Sequence, residues 1–249
     1  MKALITGATS GIGRDMAILL SQKGYDLIIA SRDTKKMKIV QKKLPTKVQI
    51  ITVDLSKIED CYKLYDMVKE QEIDIVINNA GFGAFGQFWE IPLEKELNMI
   101  DLNIKAVHLL TKLFIQYFRQ KNSGYLLNVA SSAAFLPGPL MATYYATKAY
   151  VLHMTEAVWK ELQKENSNVK ISVLCPGPVD TAFHERANVS FSLKGMKSRK
   201  VASYALKKMF AGKMIIIPGI TMKITHVGER FLPEKILLSC AYHFQNKKG

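Results

Sequence analysis

Seven short runs of aliphatic and β-branched residues recur along this chain, and longer stretches between them repeat apolar residues every three to four positions. The runs cover residues 2–6, 27–30, 48–53, 73–78, 124–130, 169–175 and 214–218; helical spacing covers 12–23, 58–70, 94–119 and 145–164. Runs this short are strands, and runs without polar alternation are strands buried on both faces. A helix between consecutive strands is the crossover that parallel pairing requires. The chain therefore predicts an α/β fold in one domain spanning 1–249, with helices on both faces of a parallel sheet.

Two regions break this alternation. Residues 181–197 read as a loop, with about 182–197 expected to lie over a substrate and Phe183, Phe191, Leu193 and Met196 offering an apolar lid. From about 219 to 249 no strand pattern returns. Ile220, Ile224, Val227 and Phe231 recur at helical spacing, as do Ile236, Leu237, Cys240 and Phe244 after Pro233. These predict two short amphipathic helices, a basic C-terminal extension.

Charge divides the chain in the same place. The net charge is +14; residues 1–189 hold 23 Lys/Arg against 19 Asp/Glu, and residues 190–249 hold 12 against 2. A basic tail fits an acidic carrier, an anionic membrane surface or a solvated face. No base-stacking motif accompanies it, so nucleic acid is not an expected partner. No apolar run approaches the roughly 18 residues of a membrane span, and the first strand starts at Lys2, so a cytoplasmic location is expected. Cys61, Cys175 and Cys240 lie far apart and read as small buried hydrophobes, and the five histidines show no ligand spacing. No metal is expected.

The chemistry begins where the first strand ends. Thr6-Gly7-Ala8-Thr9-Ser10-Gly11-Ile12-Gly13 joins strand to helix, and glycines there let the backbone turn sharply and approach a pyrophosphate at the helix start. The second strand ends Ile29-Ala30-Ser31-Arg32. An acidic residue there would hold ribose hydroxyls; Ser31 and Arg32 suit a 2′-phosphate, favouring NADP(H) over NAD. Arg14, at the start of the first helix, reads first as an exposed helix arginine and second as a candidate for the phosphate. Asp54, with Leu55, closes the third strand, either accepting from an adenine amine or capping a helix from about Ser56.

Further along stand Asn78-Asn79-Ala80-Gly81, Asn103, Ser131, Tyr144-x-x-x-Lys148 and Pro176-Gly177-Pro178-Val179-Asp180-Thr181. Together with the glycine turn, in this order, they resemble the short-chain dehydrogenase/reductase family from Lys2 to about Thr181. The resemblance implies a Rossmann-like, doubly wound parallel sheet of about seven strands, with the cofactor at the strand C-terminal edge, and a homodimer or homotetramer. It implies that Lys148 reaches the nicotinamide ribose and that Asn103 holds a relay water. Val179 and Thr181 are expected beside the nicotinamide carboxamide and phosphates.

The residue chemistry agrees. Tyr144 and Lys148, four apart, share a helix face. A neighbouring ammonium and the positive nicotinamide ring are expected to lower the phenol pKa, so that Tyr144 can exchange a proton with a carbonyl or alcohol oxygen held by Ser131. Ser131-Ser132 and Tyr144-Tyr145 offer two pairings, and the resemblance implies Tyr144, since the family pattern places the tyrosine four residues before the lysine and Tyr145 is three before Lys148. Phe82, Phe85, Phe88, Leu136 and Met141 are expected near the mouth, favouring a bulky apolar ketone or aldehyde. The alternatives are a 3-ketoacyl thioester reductase or, in a different class, a non-catalytic NADPH-sensing protein or a membrane-attached module. The tail reads as a pocket cover or a membrane contact.

Overall fold

The computed structural model describes residues 1–181 and 195–246, Arg230 by its backbone alone. Five strand–helix repeats and a sixth strand come first: β1 (Lys2–Thr6), α1 (Gly11–Gln22), β2 (Asp26–Ser31), α2 (Thr34–Gln41), β3 (Val48–Thr52), α3 (Ile58–Val68), β4 (Ile75–Asn78), α4 (Leu93–Ile100), α5 (Val107–Lys121), β5 (Tyr125–Val129), α6 (Ala142–Lys164) and β6 (Lys170–Leu174). Shorter elements follow: β7 (Val179–Asp180), β8 (Met196–Lys197), α7 (Ser198–Phe210), β9 (Ile215–Ile216), α8 (Ile220–Gly228), a 3-10 turn (Glu229–Phe231) and α9 (Glu234–Asn246).

The main sheet is parallel in the order β3-β2-β1-β4-β5-β6-β9, and β7 pairs with β8 apart from it. The chain winds outward from β1 to β3, then returns to β4 on the other side of β1. That reversal opens a crevice at the C-terminal ends of β1 and β4, where this class of sheet binds ligands. Alternate residues of β1 divide between the two cores. Leu4 joins Leu64, Phe114 and Phe118 of α3 and α5, while Ala3 and Ile5 join Met16 and Leu20 of α1 and Val201 and Met209 of α7. Burying a phenylalanine such as Phe114 stabilises the fold by about 1.5–3 kcal/mol.

Several expectations are revised. The last strand is two residues long rather than 214–218. The helix expected over 94–119 is a rod interrupted by a π turn at Asp101–Ala106. Helices α2 and α7 lay outside the sequence-based assignment, although Val201, Ala205 and Met209 stand at helical spacing and fill the core against α1. Residues 182–194 lie outside the described residues, and with them the lid expected from Phe183, Phe191 and Leu193. Met196 is strand, not loop: its amide donates to Pro178 O at 2.9 Å and its side chain packs on the core. Cys61 and Cys175 are buried, but Cys240 is exposed. Among the described residues, no helix is long and apolar enough to cross a membrane and no His/Cys/Asp/Glu cluster is placed to hold a metal.

Candidate active site

A cleft of about 480 Å³ opens at the switch point. Its floor is stitched across the sheet. The Thr6 hydroxyl accepts from the amides of Asn79 (3.0 Å) and Ala80 (3.1 Å), and Asn79 Nδ2 donates to Thr6 O (3.0 Å) and Gly7 O (3.1 Å). Gly7 (φ +67°) and Gly11 (φ +55°) take left-handed conformations that other residues rarely adopt. A Cβ on Gly7 would sit 2.8 Å from Ala80 Cα, and one on Gly13 2.3 Å from Asn79 Nδ2. The glycines are thus required first by the packing of this turn on the β4 loop. Thr6 was missing from the sequence-based candidates, and only this tertiary stitch reveals it.

The residues fit a dinucleotide. Ser10 makes no side-chain capping bond and the first turn of α1 holds no carboxylate, so the helix start offers its backbone N–H groups to an anion. Gly7, Thr9, Ser10, Gly11 and Ile12 line the cleft, followed by Ser31, Arg32, Asp54, Leu55, Asn79, Ala80 and Gly81. Gly13 stands behind the turn instead. Arg32 is exposed, with Nη1 3.9 Å from Asp54 Oδ1. Asp54 Oδ1 accepts from Ser56 N (3.2 Å) and Ser56 Oγ (2.8 Å), closing a turn; α3 starts only at Ile58, so Asp54 does not cap it. Arg14 is turned aside, its Nε and Nη2 held by Asp15 Oδ1 at 3.1 and 3.0 Å.

At the other end Ser131, Tyr144 and Lys148 converge. Tyr144 and Lys148 emerge from adjacent turns of α6, and Ser131 caps the 3-10 turn after β5, its Oγ accepting from Ala133 N at 3.1 Å. The Ser131 hydroxyl hydrogen-bonds the Tyr144 phenol. Lys148 Nζ lies 5.8 Å from the centre of the Tyr144 ring and donates to Val129 O at 3.0 Å. Tyr145 lines the cleft as well, but its ring covers Gly138 and its hydroxyl bonds Gln245 of α9.

Burial sets the charge state of this group. It pushes the Tyr144 phenol well above the ordinary value, with the Ser131 hydrogen bond opposing only part of the rise. It also drives the Lys148 ammonium down to about 8. Burial in the protein alone thus opposes the lowering expected of the ammonium and the nicotinamide ring together. Tyr144 stands as a protonated phenol, the form that donates.

Asn103 is fully buried in the π turn, and such turns recur at functional sites. Its Nδ2 donates to Phe82 O (2.9 Å) and Thr147 Oγ1 (3.1 Å), and its Oδ1 accepts from Phe82 N (3.2 Å). Both amide protons are therefore committed within the protein, and the side chain pins the Phe82 loop to α6 rather than lining the cleft. A Cβ on Gly81 would fall 2.9 Å from Asn103 Oδ1 and 3.3 Å from Lys148 Nζ, so glycine is what lets these groups approach.

Pro176, Gly177, Val179 and Thr181 close the cleft. Thr181 crosses it to the glycine turn, where a Cβ on Gly11 would lie 2.8 Å from Thr181 Cγ2. Gly177 gives room to Met222 of α8, whose Sδ would lie 2.5 Å from a Cβ there. Of the expected mouth residues, Phe82 and Met141 line the cleft and Phe85 packs beneath it, while Phe88 is exposed. Asn98 and Leu102, from the α4 rod, also line it, and sequence reasoning had passed them over.

A family model described as short chain dehydrogenase matches residues 1–190. The chain belongs to the short-chain dehydrogenase family. An uncharacterised oxidoreductase of Staphylococcus epidermidis is 33% identical over 224 residues, 89% of this chain and 96% of that protein. A short-chain dehydrogenase from Sphingobium yanoikuyae in complex with NADPH superposes with a TM-score of 0.82 at 28% identity, covering 88% of each chain. A short-chain dehydrogenase/reductase from Burkholderia phymatum in complex with NAD gives 0.83 at 24% identity over 90% of this chain and 91% of that one, a likeness of fold. This short-chain dehydrogenase is thus an oxidoreductase with a site for a nicotinamide dinucleotide, and its sheet is the seven-stranded, single-domain Rossmann-like one expected.

Proposed function

We propose that this enzyme reduces a bulky apolar ketone or aldehyde to its alcohol with NADPH, using Tyr144 as the proton donor. The observation that carries the reading is the convergence of a buried, protonated Tyr144 on Ser131 and Lys148 at one end of the cleft. NADPH, when bound, supplies the hydride that adds to the carbonyl carbon. Ser131 and Tyr144 present hydroxyls to the carbonyl oxygen; Tyr144 Oη gives up its proton to that oxygen, and the Lys148 ammonium stabilises the phenolate left behind. Asn103 positions α6 and the Phe82 loop around them.

NADPH over NADH rests on Arg32 and Ser31 at the end of β2, where a carboxylate would repel a 2′-phosphate. The NADPH complex of the 28% identical relative supports the same choice. Apolar substrate character rests on Phe82, Leu102, Met141 and Tyr145, with Asn98 as a polar exception. A homo-oligomer is part of the reading, supported by Leu93 and Leu97, exposed one turn apart on α4 beside exposed Phe88 and Trp89.

The test is NADPH and NADH oxidation with a panel of carbonyls, in parallel with Tyr144→Phe and Tyr145→Phe. NADPH should support the faster turnover. Tyr144→Phe should lose about 10³-fold in kcat, within the range for a removed acid, while Tyr145→Phe keeps most of its rate. A dead Tyr145→Phe beside an active Tyr144→Phe would overturn the assignment.

A further inference from the structure

Helix α8 is amphipathic but mounted with its apolar row outward. Met222 and His226 face the protein: Met222 packs over Gly177, and the His226 ring lies 3.8 Å from that of Phe135. At 3.6 residues per turn the opposite face carries Ile220, Ile224 and Val227, and Phe231 in the following turn prolongs the row. All four are well exposed, Ile220 at 77% and Phe231 at 81%, and α8 has no buried residue. Helix α9 repeats the arrangement. It turns Leu237, Leu238 and Ala241 partly inward and buries Gln245, while Ile236, Cys240 and Phe244, four apart, are exposed.

The surroundings are cationic. Residues 195–246 hold nine Lys and Arg against two carboxylates, Glu229 and Glu234. Glu229 is turned inward, its Oε1 3.0 Å from His226 Nδ1. Lys208 and Lys223 meet over the Tyr204 ring, at 5.7 and 5.6 Å from its centre. Among the described residues, Lys207, Lys208, Lys213, Lys223 and Lys235 have no carboxylate within ion-pair distance.

We propose that α8 and α9 form a docking face for the surface of an anionic lipid bilayer. The outward row enters the boundary between headgroups and acyl chains, and the lysines beside it meet lipid phosphates, the pairing that holds amphipathic helices in a membrane plane. Charge argues against a second copy as the occupant. A two-fold interface built on this face would set one cationic cluster against another with Glu234 alone as an outward carboxylate to pair them. The face is fixed to the rim of the cleft, through Met222 at Gly177 and through Gln245 at Tyr145. Docking thus holds the cleft's rim against the bilayer, whichever carbonyl is reduced there.

The test is density-gradient flotation of the full chain with phosphatidylcholine vesicles, with and without phosphatidylglycerol, in about 0.1 M salt. Wild type should float with the anionic vesicles at least about tenfold better than with the neutral ones. Ile224→Asp with Phe231→Asp should lose about tenfold or more, and Lys208→Gln with Lys223→Gln several-fold. Thermal melting and NADPH binding of the double Asp variant should match wild type, since both side chains face outward. The proposal falls if wild type stays at the bottom with both vesicle types, if the Asp variant floats equally well, or if that variant melts early. It falls also if light scattering shows the Asp substitutions splitting a dimer, which would make the face a contact between copies. None of these readouts needs turnover, so failure of the carbonyl assignment and failure of docking are separate results.

Discussion

The body of the sheet and the C-terminal pair of helices use the same sequence device to opposite ends. Helices α1 and α5 carry apolar rows that face the sheet, with Met16, Leu20, Phe114 and Phe118 fully buried. Helices α8 and α9 carry rows of the same periodicity that face away from it. By residue 220 both faces of the sheet are already covered, by α1 and α7 on one side and by α3, α5 and α6 on the other. Among the described residues, the apolar side chains of the central strands β1 and β4 are already buried, so the middle of the sheet has no apolar surface left for another row. Periodicity therefore says that a helix has an apolar side; what lies beneath the helix decides which way that side points.

Two phenylalanines put the comparison to its hardest test. Phe114 is 0% exposed between α3 and the sheet, and Phe231 is 81% exposed. Phe114→Ala should cost about 3–5 kcal/mol of stability in urea unfolding, through lost transfer and the cavity left behind. Phe231→Ala should change it by no more than about 0.5 kcal/mol, as surface substitutions do. Comparable losses at the two positions would show that the C-terminal helices belong to the core, and the contrast would collapse.

The same contrast explains what could be read from the sequence. Strand and helix order and the glycine turn were legible because they rest on local rules, alternation and backbone conformation, whereas the choice of Tyr144 over Tyr145 rested on the resemblance. The π turn was not, because Asn103 reads as an ordinary helical residue until its amide is seen bridging Phe82 and Thr147. Gly177 stands in a motif quoted for the family resemblance, yet the group that fills the space beside it is Met222, 45 positions later. Arg14 looked available for a phosphate because its bond with Asp15 depends on a buried carboxylate that also accepts from Ser198. The raised Tyr144 phenol escaped notice for a similar reason, since burial is a property of the whole fold.

Within the body of the sheet, Lys148 breaks the rule that burial stabilises. Its pKa of about 8 lies below the ordinary 10.5, so the folded state holds the ammonium at a penalty of about 3 kcal/mol at most. That penalty is present in full below pH 8 and fades as the pH rises from about 8 toward 10.5, where the unfolded chain binds the extra proton. Lys148→Met should therefore abolish reduction and yet raise stability at pH 7 by about 1–3 kcal/mol, measured by unfolding without cofactor. For wild type, kcat/KM for carbonyl reduction should decline above about pH 8, because it follows the free enzyme and the reaction needs the ammonium. A flat profile to pH 10, or a destabilised Lys148→Met, would return Lys148 to ordinary structural service.

Gln245 is where the two regions meet, and it carries the smallest expected effect. It is the buried residue of α9, bonded to the Tyr145 hydroxyl across 100 positions of sequence, and Tyr145 lines the cleft. Burial holds the Tyr145 phenol up at about 12, so at working pH the contact joins two neutral groups and is worth only about 1 kcal/mol. Gln245→Ala should therefore loosen the wall without touching the proton donor. KM for a bulky carbonyl should rise about fivefold while kcat and NADPH affinity stay within about twofold. A loss in kcat as large as that of Tyr144→Phe would mean that the C-terminal helices organise the chemistry itself, rather than the surface on which the enzyme sits.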